Sequence, residues 1–139
     1  MSRVLALDHG SARCGVAVSD PTGAIATPLE PVLRPATRKG LARLEALVRE
    51  WDAERVVVGL PLGLSGADTA QTSEARGFAT ALAARLGEGV PVELHDERFT
   101  TRLAQRDPRG GAAEDSRAAA HLLEGWLAAR AAGDRHSPR

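Results

Sequence analysis

The chain has 139 residues, 18 basic and 18 acidic side chains, no formal net charge, 43% apolar residues and 3% aromatic ones. That length fits one compact domain burying roughly 70% of its unfolded surface, around a core of Leu, Val and Ala. Neutrality excludes a global field steering the chain onto nucleic acid or membrane. No apolar run approaches the roughly 18 residues of a membrane span, and Cys14, the sole cysteine, excludes an internal disulfide.

Residues 3–8 and 14–19 are short, Val-rich and tightly joined, which predicts an antiparallel hairpin with Gly10 and Gly15 supplying backbone freedom. Asp20-Pro21-Thr22-Gly23 has the residues of a type I turn. A third strand over 24–33 is interrupted by Pro28 and Pro31, so it lies at a sheet edge or bends. Leu41, Leu44, Leu47, Val48 and Trp51 share one face of a helix over 38–51. RVVVGL, 55–60, is a continuous apolar run, the pattern of a strand covered on both faces.

After the loop PLGLSGAD, a helix over 69–86 presents Ala75, Phe78, Ala79, Leu82 and Leu86, with Asp68 as its expected N-cap. VPVEL, 90–94, is the fifth strand. HDERFTT leads into a short helix ending near Arg106, which DPRGG breaks. A last helix over 115–130 aligns Ala119, Leu122, Leu123, Trp126 and Leu127, and residues 131–139 are expected to be a flexible tail.

The order β-β-β-α-β-α-β-α-α predicts an α/β fold. Its five-stranded mixed sheet has three antiparallel meander strands, then parallel ones, with helices on both faces. No linker or repeat marks a second domain, so residues 1–139 are read as one unit. Such sheets take ligands beyond the carboxyl ends of their parallel strands. A lone cysteine suits a reducing cytoplasm, and MSRVLALDHG meets charge and glycine too early for a secretion signal, so a cytoplasmic protein is expected.

Acidic residues gather at the ends of these elements. Asp8 ends the first strand, Asp96 and Glu97 follow the last, and Glu114 and Asp115 stand where the final helix is expected to begin. A buried carboxylate is costly unless paired or bound to a metal. Oxygens collected from strand ends and a helix start suit Mg²⁺ or Mn²⁺ rather than zinc. Two such ions roughly 3.5–4 Å apart activate a water and stabilise the leaving oxygen of a phosphodiester.

Each residue also has a plainer reading. Asp8 is a turn residue before Gly10, Asp115 an N-cap, Glu97 a solvated side chain, and Asp96 an equal acidic candidate beside it. His9 and His95 either orient a water or phosphate or hold hydrogen-bonded structural roles. Cys14 reads as a small core residue.

LALDHGSARCGVAVSD, VVVGLPLGLSG with FATAL behind it, DERFTT and EDSRAAAHLLEGWL resemble, in this order, the four motif blocks of the YqgF (RuvX) family. The resemblance implies a ribonuclease H-like fold, similar to RuvC-type junction resolvases. It implies functional, metal-holding carboxylates at Asp8, Glu97 and Asp115, favouring Glu97 over Asp96 and over Glu114. His9, Asp96 and Glu114 are then candidates for supporting contacts. The implied activity is divalent-metal-dependent endonucleolytic hydrolysis, leaving a 5′-phosphate and a 3′-hydroxyl, in 5′-end maturation of the 16S rRNA precursor. Holliday-junction resolution is the alternative. The chain departs from the family pattern at Ala12, before Arg13, where lysine is frequent, and at Gly63, where asparagine is common. The basic run before the last aspartate is reduced to RDPRGGAAE.

A neutral protein that binds a polyanion needs a local basic patch. Arg98, Arg102 and Arg106 recur at helical spacing beside Glu97, and Arg13 stands in the loop next to Asp8. All four are candidate phosphate contacts, with a solvated helix face as the second reading of Arg102 and Arg106. Gly63 and Ser65 precede a helix, where backbone N–H groups can hold a phosphate. No aromatic stripe offers base stacking. The expected partner is structured RNA or branched DNA and not a membrane. Both a monomer and a homodimer stay open, symmetric junction cleavage favouring the dimer. Two other classes are an ATP-binding phosphotransfer domain, from the Asp–glycine-turn–GVAVSD similarity to the sugar kinase and actin fold, and a non-catalytic binding module.

Overall fold

The computed structural model describes residues 3–63, 65–97 and 111–136, the last stretch with side chains for residues 116–131. The strands are β1 (Arg3–Asp8), β2 (Arg13–Ser19), β3 (Ala26–Leu33), β4 (Ala53–Leu60) and β5 (Val92–Asp96), and the helices α1 (Arg38–Glu50), α2 (Ala70–Leu86) and α3 (Gly111–His136). They form one sheet in the order β3-β2-β1-β4-β5. β1–β2 and β2–β3 are antiparallel, and β1–β4 and β4–β5 are parallel. The carboxyl ends of β1, β4 and β5 therefore share one sheet edge.

Alternation along the central strands divides the core in two. Leu5, Leu7, Val16, Val18, Val56 and Val58 meet Leu44, Leu47 and Val48 of α1 and Phe78, Ala79 and Leu82 of α2. Val4, Ala6, Ala17 and Val57 meet Ala119, Leu122, Leu123 and Trp126 of α3. Both faces of β1 and β4 are covered, which is why their sequences read as unbroken apolar runs. On the α3 side the sheet offers Ala6 and Ala17, leaving room for Leu122 and Leu123, each worth about 2 kcal/mol when buried. Cys14 is fully buried on the other side, a small core residue.

The β1–β2 turn requires Gly10, because a Cβ there would lie 2.7 Å from the Arg13 carbonyl oxygen. The Asp20 turn closes with the Gly23 N–H donating to the Asp20 carbonyl at 2.9 Å. Its carboxylate also accepts the N–H groups of Ala24 and Ile25, at 2.8 Å each, and the Thr22 hydroxyl. β3, with both its prolines, is an edge strand.

Four boundaries differ from the sequence reading. The N-cap of α2 is Thr69, not Asp68. Thr69 is extended and its hydroxyl accepts the Thr72 N–H, whereas Asp68 turns to Arg76 and accepts two hydrogen bonds, at 3.0 and 3.1 Å. β5 runs over Val92–Asp96 rather than 90–94, because its extent follows the pairing with β4, from Val56–Val92 to Leu60–Asp96. At this part-exposed edge the apolar pattern is not decisive. α3 begins at Gly111, so Glu114 and Asp115 lie inside the helix and neither is its N-cap. It continues through His136, past Arg130. The short helix expected to end near Arg106 falls largely outside the described residues.

Candidate active site

The carboxyl edge of the sheet collects the acidic positions. Asp8, the last residue of β1, pairs with Gly15 of β2. On its other side the Leu7–Val58 pairing brings Gly59 of β4 level with Asp8, and Gly59 pairs with His95 of β5. Because Ala6 and Val57 face α3, strand alternation puts Asp8, Gly59 and His95 on that same face. Asp8 is thus flanked across the sheet by two glycines.

Glu97 follows directly after β5 and lays its side chain over Gly59. A Cβ on Gly59 would lie 3.0 Å from Glu97 Cδ and Cγ and 3.1 Å from its Oε1. The carboxylate of Glu97 therefore comes back over β4, the strand next to Asp8. Asp96 pairs with Leu60 and shares a face with Leu94, two residues before it, which packs on the α1 and α2 side. It belongs to the opposite face.

The third position arrives from α3. Ser116 is 2% exposed, and its hydroxyl accepts the Val16 N–H at 3.4 Å, where the β2–β3 register shifts. This bond fixes the helix turn carrying Glu114 and Asp115 against β2, one residue from Gly15, the partner of Asp8. The side chains of Glu114 and Asp115 lie outside those described. Among the described side chains no three His, Cys, Asp or Glu residues form a metal-holding group.

His9 turns the other way from Asp8. Its ring stacks on Phe78 of α2, with centroids 4.6 Å apart and planes inclined at 27°. Burial lowers its pKa from the ordinary value, against an upward pull from Glu74, so the ring is held toward its neutral form.

The loop after β4 stands at the same edge and is closed on itself. The Gly63 N–H donates to the Ala67 carbonyl and the Gly66 N–H to the Gly63 carbonyl, both at 2.9 Å. The Thr72 hydroxyl ties the loop to α2 by donating to the Pro61 carbonyl at 2.6 Å. The backbone N–H of Gly63 is thus engaged within the loop, while Ser65 is exposed. Arg13 is exposed at the start of β2, at this edge. Arg98, Arg102 and Arg106 lie outside the described residues.

An open groove of about 440 Å³ between α3 and β5 is lined by Arg55, Glu93, His95, Trp126, Ala129 and Arg130. Glu93 holds its floor, accepting from Arg55 at 2.9 Å and from the Trp126 indole N–H at 2.7 Å. Through His95 the groove adjoins the row containing Gly59 and Asp8.

Sequence reasoning missed two residues of this arrangement, Gly59 and Ser116. For Gly59 a signal existed, since a glycine inside a Val-rich strand marks close approach of another group. For Ser116 the signal was weaker, one small polar residue on the apolar face of a helix.

Residues 2–129 match the family model described as RuvX: Holliday junction resolvase. A protein of Koribacter versatilis (strain Ellin345) named "Putative pre-16S rRNA nuclease" is 41% identical, the match covering 98% of this chain and 92% of that one. A relative of the same name from Anaeromyxobacter sp. (strain Fw109-5) is 41% identical over 92% of this chain and 98% of its own. One from Thermobifida fusca (strain YX) is 49% identical over 83% of this chain and 70% of its own. Among solved structures, T. thermophilus RuvC in complex with Holliday junction substrate aligns with a TM-score of 0.56 at 19% identity, covering 94% of this chain and 96% of that one. A second Thermus thermophilus RuvC structure gives the same TM-score and coverage at 21% identity. The shared architecture is the ribonuclease H-like fold.

Proposed function

The chain belongs to the RuvX family of phosphodiester-hydrolysing nucleases, and from that premise we propose a divalent-metal-dependent endonuclease that matures the 5′ end of the 16S rRNA precursor. The observation that carries this reading is the convergence of Asp8, Glu97 and the Asp115 turn on one sheet edge. The choice of RNA rests on the names of relatives sharing 41–49% identity over most of the chain.

The residues present suit a hard divalent cation. Asp8 pairs with Gly15 and stands level with Gly59, and Glu97 lies over Gly59. Carboxylates gathered at one edge of the sheet favour a cation among them, and such donors fit Mg²⁺ or Mn²⁺. Asp8, Glu97 and Asp115 would hold two ions, which when bound supply Lewis-acid polarisation of the phosphate and an activated water.

The rest of the work falls to the chain itself. Arg13, at the same edge, and Arg98, next to Glu97, contact phosphates flanking the scissile bond. Arg102 and Arg106 extend that contact along the substrate. α1 and α2 each follow a strand that ends at this edge, so both begin there, and their N-terminal partial positive charge favours a polyanion. His9 turns away from Asp8 and stacks on Phe78. Asp96 and Glu114 are left with supporting parts. Among the described residues no helix is long and apolar enough to cross a membrane, and a cytoplasmic site of action accords with this role.

A side-by-side cleavage assay tests the reading. The substrates are a 16S rRNA precursor and a four-way DNA junction, each with Mg²⁺, with Mn²⁺ and with chelator. Metal-dependent cutting of the RNA is expected. Asp8→Asn and Asp115→Asn should each lower it by about 100-fold or more, beyond the usual cost of losing a supporting partner, with unchanged circular dichroism. Full activity in either variant, or in excess chelator, overturns the reading. The family description as a junction resolvase supports a second reading, which preferential symmetric cutting of the junction by a homodimer would establish.

A further inference from the structure

We propose that Gly59 is a positioning residue for Glu97, its missing side chain forming the seat across which the Glu97 carboxylate reaches the Asp8 row. The inference rests on Asp8, Glu97 and Asp115 holding the metal, and it adds to that site a residue with no donor atom of its own.

Nothing in the backbone requires glycine at this position. The positive-φ glycines among the described residues are Gly23, Gly66 and Gly87, so Gly59 has a conformation that alanine also adopts. β4 is an inner strand, between β1 and β5, and its neighbours Val56, Val57, Val58 and Leu60 are all buried and apolar. A glycine there weakens the strand relative to alanine.

The space above Gly59 explains its presence. The three atoms nearest to a Cβ placed on it, at 3.0, 3.0 and 3.1 Å, all belong to Glu97. Contacts that short oblige Glu97 to move by a few tenths of an ångström. Metal–ligand distances are held to within about 0.2 Å, and Mg²⁺ tolerates misplaced ligands less well than Ca²⁺, whose coordination is flexible. A methyl group at this position therefore acts on the metal through Glu97, and more strongly on the smaller ion.

The test is direct metal binding to the full chain without substrate. Mn²⁺ is titrated and followed by the electron paramagnetic resonance of the free ion, with Mg²⁺ and Ca²⁺ as competitors. In Gly59→Ala, Mn²⁺ and Mg²⁺ affinity should fall roughly 10- to 100-fold, the range for lost supporting contacts, and Ca²⁺ affinity should fall less. Adding Glu97→Asp, one methylene shorter, should recover part of the loss, so that the two changes are non-additive.

Glu97→Gln separates this inference from the reading beneath it. If Glu97→Gln weakens Mn²⁺ binding while Gly59→Ala binds like the unaltered chain, the positioning role is overturned and the metal site stands. If Glu97→Gln binds Mn²⁺ unchanged, the metal reading of Glu97 fails and the inference falls with it. Should Gly59→Ala not fold, the double variant with Glu97→Asp decides: folding supports a clash with Glu97, and failure to fold places the clash elsewhere and overturns the proposal.

Discussion

Ser116 and Val16 lie one hundred positions apart, and the Val16 N–H donates to the Ser116 hydroxyl at 3.4 Å inside the core. This bond sets α3 against β2 beside the pairing of Asp8 with Gly15. It therefore bears on stability and on where the Asp115 turn stands.

Replacing Ser116 by alanine leaves a buried N–H without this acceptor, which costs about 1–3 kcal/mol. For a chain of this size each kcal/mol lowers Tm by roughly 2–4 °C. Thermal melts of Ser116→Ala should show that decrease, and metal-dependent cleavage should fall in protein still fully folded. An unchanged Tm would mean that the bond does not anchor the helix.

Thr72 is fully buried. It donates to the Pro61 carbonyl at 2.6 Å and accepts the Thr69 N–H at 2.9 Å. Thr72→Val keeps the shape and removes both bonds, leaving polar groups unsatisfied at a cost of about 1–3 kcal/mol. Hydrogen exchange in the 61–69 loop should quicken while the β1 and β4 amides keep their protection. Equal acceleration throughout the sheet would show the change to be global.

Asp20 gives a pH dependence whose sign follows from its partners. The Thr22 hydroxyl, then the Ile25 N–H, pull its carboxyl down from 3.8 to about 2. The unfolded chain thus takes up this proton at higher pH than the folded one. The stabilisation is fully present above the unfolded value and is lost as pH falls through the folded one. The Tm difference between the unaltered chain and Asp20→Asn should therefore shrink as pH falls from about 4 through about 2, where the folded carboxyl is half protonated. A difference constant across that window would show that the turn is held by other bonds.

The elements that were legible beforehand are those whose local period matches their burial. The Leu44, Leu47 and Val48 face of α1 and the Ala75, Phe78, Ala79 and Leu82 face of α2 are buried as their spacing implied. The β1–β2 hairpin pairs as its turn chemistry required. Local pattern failed at ends. Asp68 is a good capping residue, but Arg76 holds it and Thr69 has the extended backbone that a cap needs. VPVEL has the apolar pattern of a strand, yet pairing with β4 carries β5 on to Asp96.

Residue pattern alone specifies the α/β order, the two-sided core and the placement of acidic residues at element ends, because each follows from period-2 or period-3.6 burial and from turn residues. It takes the packed fold to establish that Gly59 stands level with Asp8, that Glu97 lies across it, and that Ser116 brings the Asp115 turn to β2. Those relationships join segments that come together only when parallel strands pair across intervening helices. No local periodicity carries that register; the assembled sheet does.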